Sequence, residues 1–206
     1  MFPTGFADLP LIAILRGITP DEAVAVASVL YEVGFRCIEV PLNSPEPFES
    51  IRRIADVVGR DCLVGAGTVL TANDVAQVRT AGGRLIVMPH SDASVIRVAK
   101  DAGMVCAPGV STLTEAFAAL DAGADALKVF PAELITPPIL RAWRSVLPRT
   151  VKLIPVGGIS PESMRSFVSA GASGFGLGGN LYSAGNSAES VRRSACQFAM
   201  HWHGKD

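Results

Sequence analysis

Short, continuous apolar runs recur along the whole chain. They are LIAILR (11–16), CIEVPL (37–42), LVGAGT (63–68), RLIVMP (84–89), MVCAPG (104–109), ALKVFP (126–131), KLIPVGG (152–158) and GFGLGG (174–179). Runs this short and often β-branched predict parallel strands covered on both faces. Between them lie stretches with apolar residues at i, i+3 and i+4, the period of a helix packed on one side. In residues 91–103, Ser91 or Asp92 can cap a helix whose apolar stripe is Val95, Val98, Ala99 and Ala102. Glycines at 34, 59, 82, 103, 123 and 171 suit the left-handed turn that stops a helix before the next strand. From Gly34 to Gly123 they are spaced by 25, 23, 21 and 20 residues, one strand–helix unit each.

Eight such units predict an α/β fold, a single (β/α)8 TIM barrel occupying residues 1–206 as one domain. The competing architecture, an open doubly wound sheet, places GxGxxG after its first strand. Here the first strand runs into Arg16-Gly17-Ile18-Thr19-Pro20, and the glycine-rich GFGLGG comes last.

Composition narrows the partners. An apolar content of 49% and a mean hydropathy of +0.37 fit doubly covered strands. A formal charge of -1 argues against nucleic acid or an anionic membrane as partner. The longest uncharged stretch, 166–188, is broken by six glycines and does not read as a membrane span. The first residues lack a basic segment ahead of the apolar run, unlike a signal peptide. Cys37, Cys62, Cys106 and Cys196 are scattered without a CxxC pair, as expected of reduced cysteines in a cytoplasmic protein.

Chemistry is expected at the C-terminal ends of barrel strands. Lys128 is one of four lysines and stands inside the apolar run ALKVFP. Burial there would lower its pKa and free a nucleophilic amine for Schiff-base chemistry; a stem that packs while the head reaches water is the ordinary alternative. Glu39, inside CIEVPL, is a buried acid whose raised pKa would suit giving and taking protons. It could instead be half of an ion pair with Arg16 or Lys128. Arg16 ends the first strand with a planar fork that fits a carboxylate or phosphate, or is a plain surface arginine. Thr68 offers a hydroxyl to a substrate oxygen or to the local backbone. Gly157-Gly158 and Gly178-Gly179 end the seventh and eighth strands, where glycine backbone N–H groups cradle phosphate in such barrels. His90 faces the site or caps the following helix, and His201-x-His203 is read as a frayed tail. No strand-end cluster supplies three or four metal ligands, so no metal is expected.

The motifs LPLIAILRGITPDEA, IEVPLNSP, GAGTV, ALKVFPAE, PVGGISPE and GFGLGGNLY together resemble the 2-keto-3-deoxy-6-phosphosugar-acid aldolases over nearly the whole chain. Gluconate-type members typically carry TLRT where this chain has Pro41-Leu42-Asn43-Ser44, and PTGG where it has Pro155-Val156-Gly157-Gly158, so the galactonate type fits better. The sequence Phe130-Pro131-Ala132-Glu133 is nearer the gluconate type, which leaves a gluconate-type or dual-specificity enzyme as the alternative. The resemblance implies a Schiff-base lysine at Lys128 and an acid/base at Glu39. It also implies Arg16 and Thr68 at the pyruvyl carboxylate, Gly158 near the other end of the substrate, no cofactor and a homotrimer. The substrate would be a phosphorylated keto acid, and pyruvate a product. Relatives commonly have serine at Gly179; Ser183 is a conceivable substitute. A phosphosugar isomerase or epimerase, with Lys128 as a non-covalent electrophile, and a non-catalytic phospho-ligand sensor are the rival readings.

Overall fold

A computed structural model describes residues 1–204. After a 3-10 turn at Thr4–Phe6, strands and helices alternate. The strands are β1 (Leu11–Ile14), β2 (Cys37–Pro41), β3 (Leu63–Gly67), β4 (Leu85–Val87), β5 (Val105–Ala107), β6 (Gly109–Val110), β7 (Leu127–Val129), β8 (Leu153–Pro155) and β9 (Phe175–Leu177). The helices are α1 (Pro20–Val33), α2 (Pro47–Val58), α3 (Ala72–Thr80), α4 (Ala93–Asp101), α5 (Leu113–Asp121), α6 (Pro137–Arg144), α7 (Pro161–Ser169) and α8 (Ala188–Trp202).

All strand pairs are parallel. One sheet has the order β5-β4-β3-β2-β1-β9 and a second β6-β7-β8. The fifth expected strand is therefore two pieces. Pro108 sits between them and has no N–H to give to a ladder; β5 pairs with β4, and β6 pairs with β7. A parallel bridge between Val156 and Gly176 joins the end of β8 to β9. The result is a curled α/β fold of parallel strands, with eight helices among the described residues.

Side chains alternate along the strands between two cores. Leu11, Ala13, Ile38, Val40, Leu127 and Val129 join the large cluster shared with the helices. Ile12, Ile14, Cys37, Ala126, Ile154 and Val156 face a second, inner cluster, with Phe130 packed against it. Phe6 belongs to the inner cluster, and Phe2 stacks on it with ring centroids 4.5 Å apart. By the same period of two, Glu39 follows Cys37 and Lys128 follows Ala126 onto the inner face.

The helix boundaries follow the expected chemistry. Gly34, Gly59, Gly82, Gly103, Gly123 and Gly171 all have positive φ. Asp92, not Ser91, caps α4, accepting from the N–H groups of Ser94 and Val95. The stripe of that helix is Val95, Ile96 and Ala99. Val98, expected in it, is 37% exposed: α4 packs against the sheet on the i, i+1, i+4 edge, which turns Val98 outward. The C-terminal histidines also differ from expectation. His201 lies in the last turn of α8 and His203 is its C-cap, so the segment is helical and not frayed. No helix of the described residues is long and apolar enough to cross a membrane.

Candidate active site

The inner face is filled by large side chains at its lower end and emptied by glycines above. Gly65, Gly67, Gly109 and Gly176 have no room for a Cβ, which would meet neighbouring atoms at 1.9, 2.0, 2.5 and 2.7 Å respectively. Above them lies a cavity of about 170 Å³ lined by Arg16, Thr68, Lys128, Gly157, Gly158, Gly178 and Gly179, together with Phe130, Val156 and Asn180 among others. Glu39, the proposed acid/base, does not line it.

Glu39 and Lys128 are the buried Asp, Glu, Lys or Arg side chains among the described residues, at 1% and 7% exposure. The Glu39 carboxylate packs on Gly67, so closely that a Cβ at residue 67 would stand 2.0 Å from Oε2. The nearby Gly67 N–H favours its charged form, while its Oε2 has no hydrogen-bond partner. Burial pushes its pKa up to about 7, against the opposing pull of Lys128, Arg16 and the Gly67 N–H. A carboxyl of that pKa exchanges protons readily at neutral pH.

Lys128 is held below the usual lysine range, first by burial and further by the positive charge of Arg16; Glu39 acts in the other direction. Its Nζ stands 4.6 Å from the centre of the Phe130 ring. The aromatic face favours the ammonium form and gives the amine one fixed wall. Desolvation and the neighbouring guanidinium thus raise the fraction of free amine, which is the nucleophile.

At the other strand ends the loops lock one another. Arg16 Nη1 donates to Asn43 Oδ1 at 2.7 Å, and the Gly17 N–H donates to the buried Ser44 Oγ at 2.9 Å. The loop after β2 therefore holds the loop after β1. Thr68 has φ +57°, a left-handed conformation costing a β-branched residue about 1–3 kcal/mol, and it turns the chain directly after Gly67.

The two glycine pairs differ in kind. Gly157 and Gly158 have φ +114° and +60°, and the Glu133 carboxylate lies against the side where their side chains would be. Gly178 and Gly179 have ordinary φ, and a Cβ at either would meet nothing within 4 Å. Neither backbone nor neighbours demand glycine there, and the space belongs to the cavity.

Four residues escaped attention as site members. Phe130 was legible, since it is two residues past Lys128 and so on the same face. Asn180, whose Nδ2 donates to Ile159 O at 2.9 Å, and Ser44 carry no local signal, and Glu133 had drawn notice only as part of a motif. His90 is exposed and does not line the cavity. Ser183 is no stand-in for a serine at 179: it is exposed, and its hydroxyl is directed to Gly179 O at 3.4 Å.

This arrangement has close counterparts. The chain is 47% identical over 190 residues to 2-dehydro-3-deoxy-6-phosphogalactonate aldolase of Escherichia coli (strain K12), covering 92% of this chain and 93% of that one. It is 48% identical over 186 residues to the probable 2-dehydro-3-deoxy-6-phosphogalactonate aldolase of Rhizobium meliloti (strain 1021), covering 90% and 88%. A solved structure described as native KDPGal superposes with a TM-score of 0.94 at 45% identity, over 96% of each chain. The family described as KDPG and KHG aldolase matches residues 5–193. That span takes in every strand and the whole cavity wall, and the chain belongs to this aldolase family of carbon–carbon lyases.

Proposed function

We propose that the protein is a class I aldolase that cleaves 2-dehydro-3-deoxy-6-phosphogalactonate to pyruvate and D-glyceraldehyde 3-phosphate. The observation that carries this is the buried Lys128 amine at the cavity wall, with Glu39 as the other buried charged side chain among the described residues. Substrate and products differ by one broken C3–C4 bond and one proton moved from the C4 hydroxyl to C3, so the chemistry needs only an amine and a proton carrier. The names of the two close relatives support the galactonate substrate.

In the proposed sequence the neutral Lys128 amine adds to the C2 carbonyl. Glu39 protonates the carbinolamine hydroxyl, water leaves, and an iminium forms. Glu39, now a carboxylate, takes the C4 hydroxyl proton, directly or through water. The C3–C4 bonding pair flows into the iminium, giving an enamine and D-glyceraldehyde 3-phosphate. Protonation of the enamine at C3 and addition of water release pyruvate and restore the amine. Arg16 and Thr68 hold the keto-acid carboxylate. Gly157, Gly158, Gly178 and Gly179 offer backbone N–H groups to the phosphate. Fixing both ends keeps the reacting bond against Lys128. No cofactor takes part.

The same reading makes the described residues, 1–204, one domain, a closed (β/α)8 barrel; the last two residues of the expected 1–206 span lie outside the described residues. The Val156–Gly176 bridge and the single residue between β5 and β6 support ring closure. We further infer a homotrimer acting in the cytoplasm. The family resemblance supports the first, and the phosphorylated substrate and four free cysteines support the second.

Borohydride reduction in the presence of pyruvate should attach the pyruvyl group irreversibly to the peptide containing Lys128. Absence of that adduct, or loss of activity to chelators, would reject the scheme. Comparison of the C4 epimers decides the substrate: faster cleavage of the gluconate form would replace the galactonate assignment.

A further inference from the structure

We infer that Glu133 sets the strength of phosphate binding by charge, weakening the hold on the phosphorylated end so that substrate and product exchange readily. This rests on the phosphate cradle proposed above.

Glu133 lies four residues past the end of β7, in the loop leaving the Lys128 strand. That loop is laced to the glycine loop: Ala132 N–H donates to Val156 O at 2.8 Å, and Val156 N–H donates to Val129 O at 3.0 Å. The lacing sets the carboxylate against the glycine pair. Its Oε2 is 2.2 Å from where a Cβ of residue 157 would be, and its Oε1 is 3.1 Å from the Cβ position of residue 158. Glu133 is exposed and joins no ion pair among the described residues. The cations that line the cavity are Arg16 and Lys128, both assigned to the keto-acid end. The phosphate end therefore has backbone dipoles as its attraction, and a negative carboxylate beside them that, among the described residues, is paired with no cation.

A phosphate dianion next to that carboxylate is repelled, and equally so in substrate, transition state and aldehyde product. Weakening of this uniform kind raises KM and speeds release without touching the chemical step. Because Glu133 is solvent-exposed, the repulsion is screened and modest, about three- to tenfold in affinity, and it fades as salt rises.

The test compares wild type with Glu133→Gln and with Glu133→Ser, both neutral. Inorganic phosphate is used as a competitor of the phosphorylated substrate, and half-saturation by pyruvate is followed by borohydride trapping. Both variants should lower the phosphate inhibition constant and the substrate KM together by about three- to tenfold. The gap should close at high ionic strength, and pyruvate trapping should be unchanged, which also reports an intact fold. An unchanged or raised inhibition constant in the neutral variants, with pyruvate trapping intact, overturns the inference while leaving the cradle standing. If phosphate competes in none of the three proteins, the cradle is wrong and the inference falls with it.

Discussion

Glu39 can stand where it does because Gly67, its cross-strand neighbour's next inner position, has no side chain. A Cβ at residue 67 would lie 2.0 Å from Glu39 Oε2 and 2.4 Å from Cδ. The Gly67→Ala variant should fold, because the clash is with a side chain that can swing, but it should push the carboxylate off its site. We expect a kcat loss of about 100-fold or more, the scale of a lost acid–base group, and a stability cost of about 1–3 kcal/mol from overpacking. Steady-state rates and thermal unfolding check both; full activity would show that the carboxylate position is unimportant.

Lys128→Met should separate chemistry from stability. Without the amine no adduct with pyruvate forms, and turnover should drop by about 10³-fold or more. Replacing a buried amine with an apolar chain of similar length removes a desolvation cost, so stability should hold or rise. Lys128→Arg should be equally inactive; partial activity would favour an isomerase-type reaction.

Stability should carry the mark of Glu39. Its pKa is about 7 in the folded protein and near 4.3 in the unfolded chain. Over that interval the unfolded chain gives up the proton first, so the folded state binds more protons and stability falls as pH rises. The size is on the order of 3 kcal/mol, fully present below about pH 4 and lost by about pH 7. Glu39→Gln should remove this slope, which urea melts from pH 4 to 8 would reveal. Lys128 acts at the alkaline end with the opposite sign. Its lowered pKa means that the unfolded chain holds the proton longer, so its contribution improves towards pH 10.

Gly179 and Gly158 should respond in opposite ways to a side chain. Gly179→Ser meets open space and ordinary φ, so unfolding should move by less than about 0.5 kcal/mol. The new hydroxyl at the cavity wall should lower KM for the phosphorylated substrate about five- to tenfold, the value of one ordinary hydrogen bond. Gly158→Ala, at φ +60° and against Glu133, should destabilise by about 1–3 kcal/mol and raise that KM.

Asn43 fixes the Arg16 fork through its 2.7 Å hydrogen bond. Asn43→Ala should free the guanidinium to wander and raise half-saturation by pyruvate about three- to tenfold. Inhibition by inorganic phosphate should stay as it was. Equal effects on both would place Asn43 elsewhere in the site's economy.

What could be learned from the residues in order was everything carried by local patterning. Doubly covered strands show as continuous apolar runs, helix ends show as glycines needing positive φ, and a lysine within such a run announces itself because its neighbours cannot solvate it. Period-two alternation even places Glu39 and Lys128 on one face. The split at Pro108, the outward turn of Val98 and the lock between Arg16 and Asn43 were not to be had that way. Nor was the seat of Glu133 on Gly157 and Gly158, or the fit of Glu39 over Gly67. Each depends on which distant elements meet and at what register, and short-range sequence patterns say nothing of distances between segments far apart in the chain. The curl of the sheet decided those distances, and with them the electrostatic balance on which the two buried charges depend.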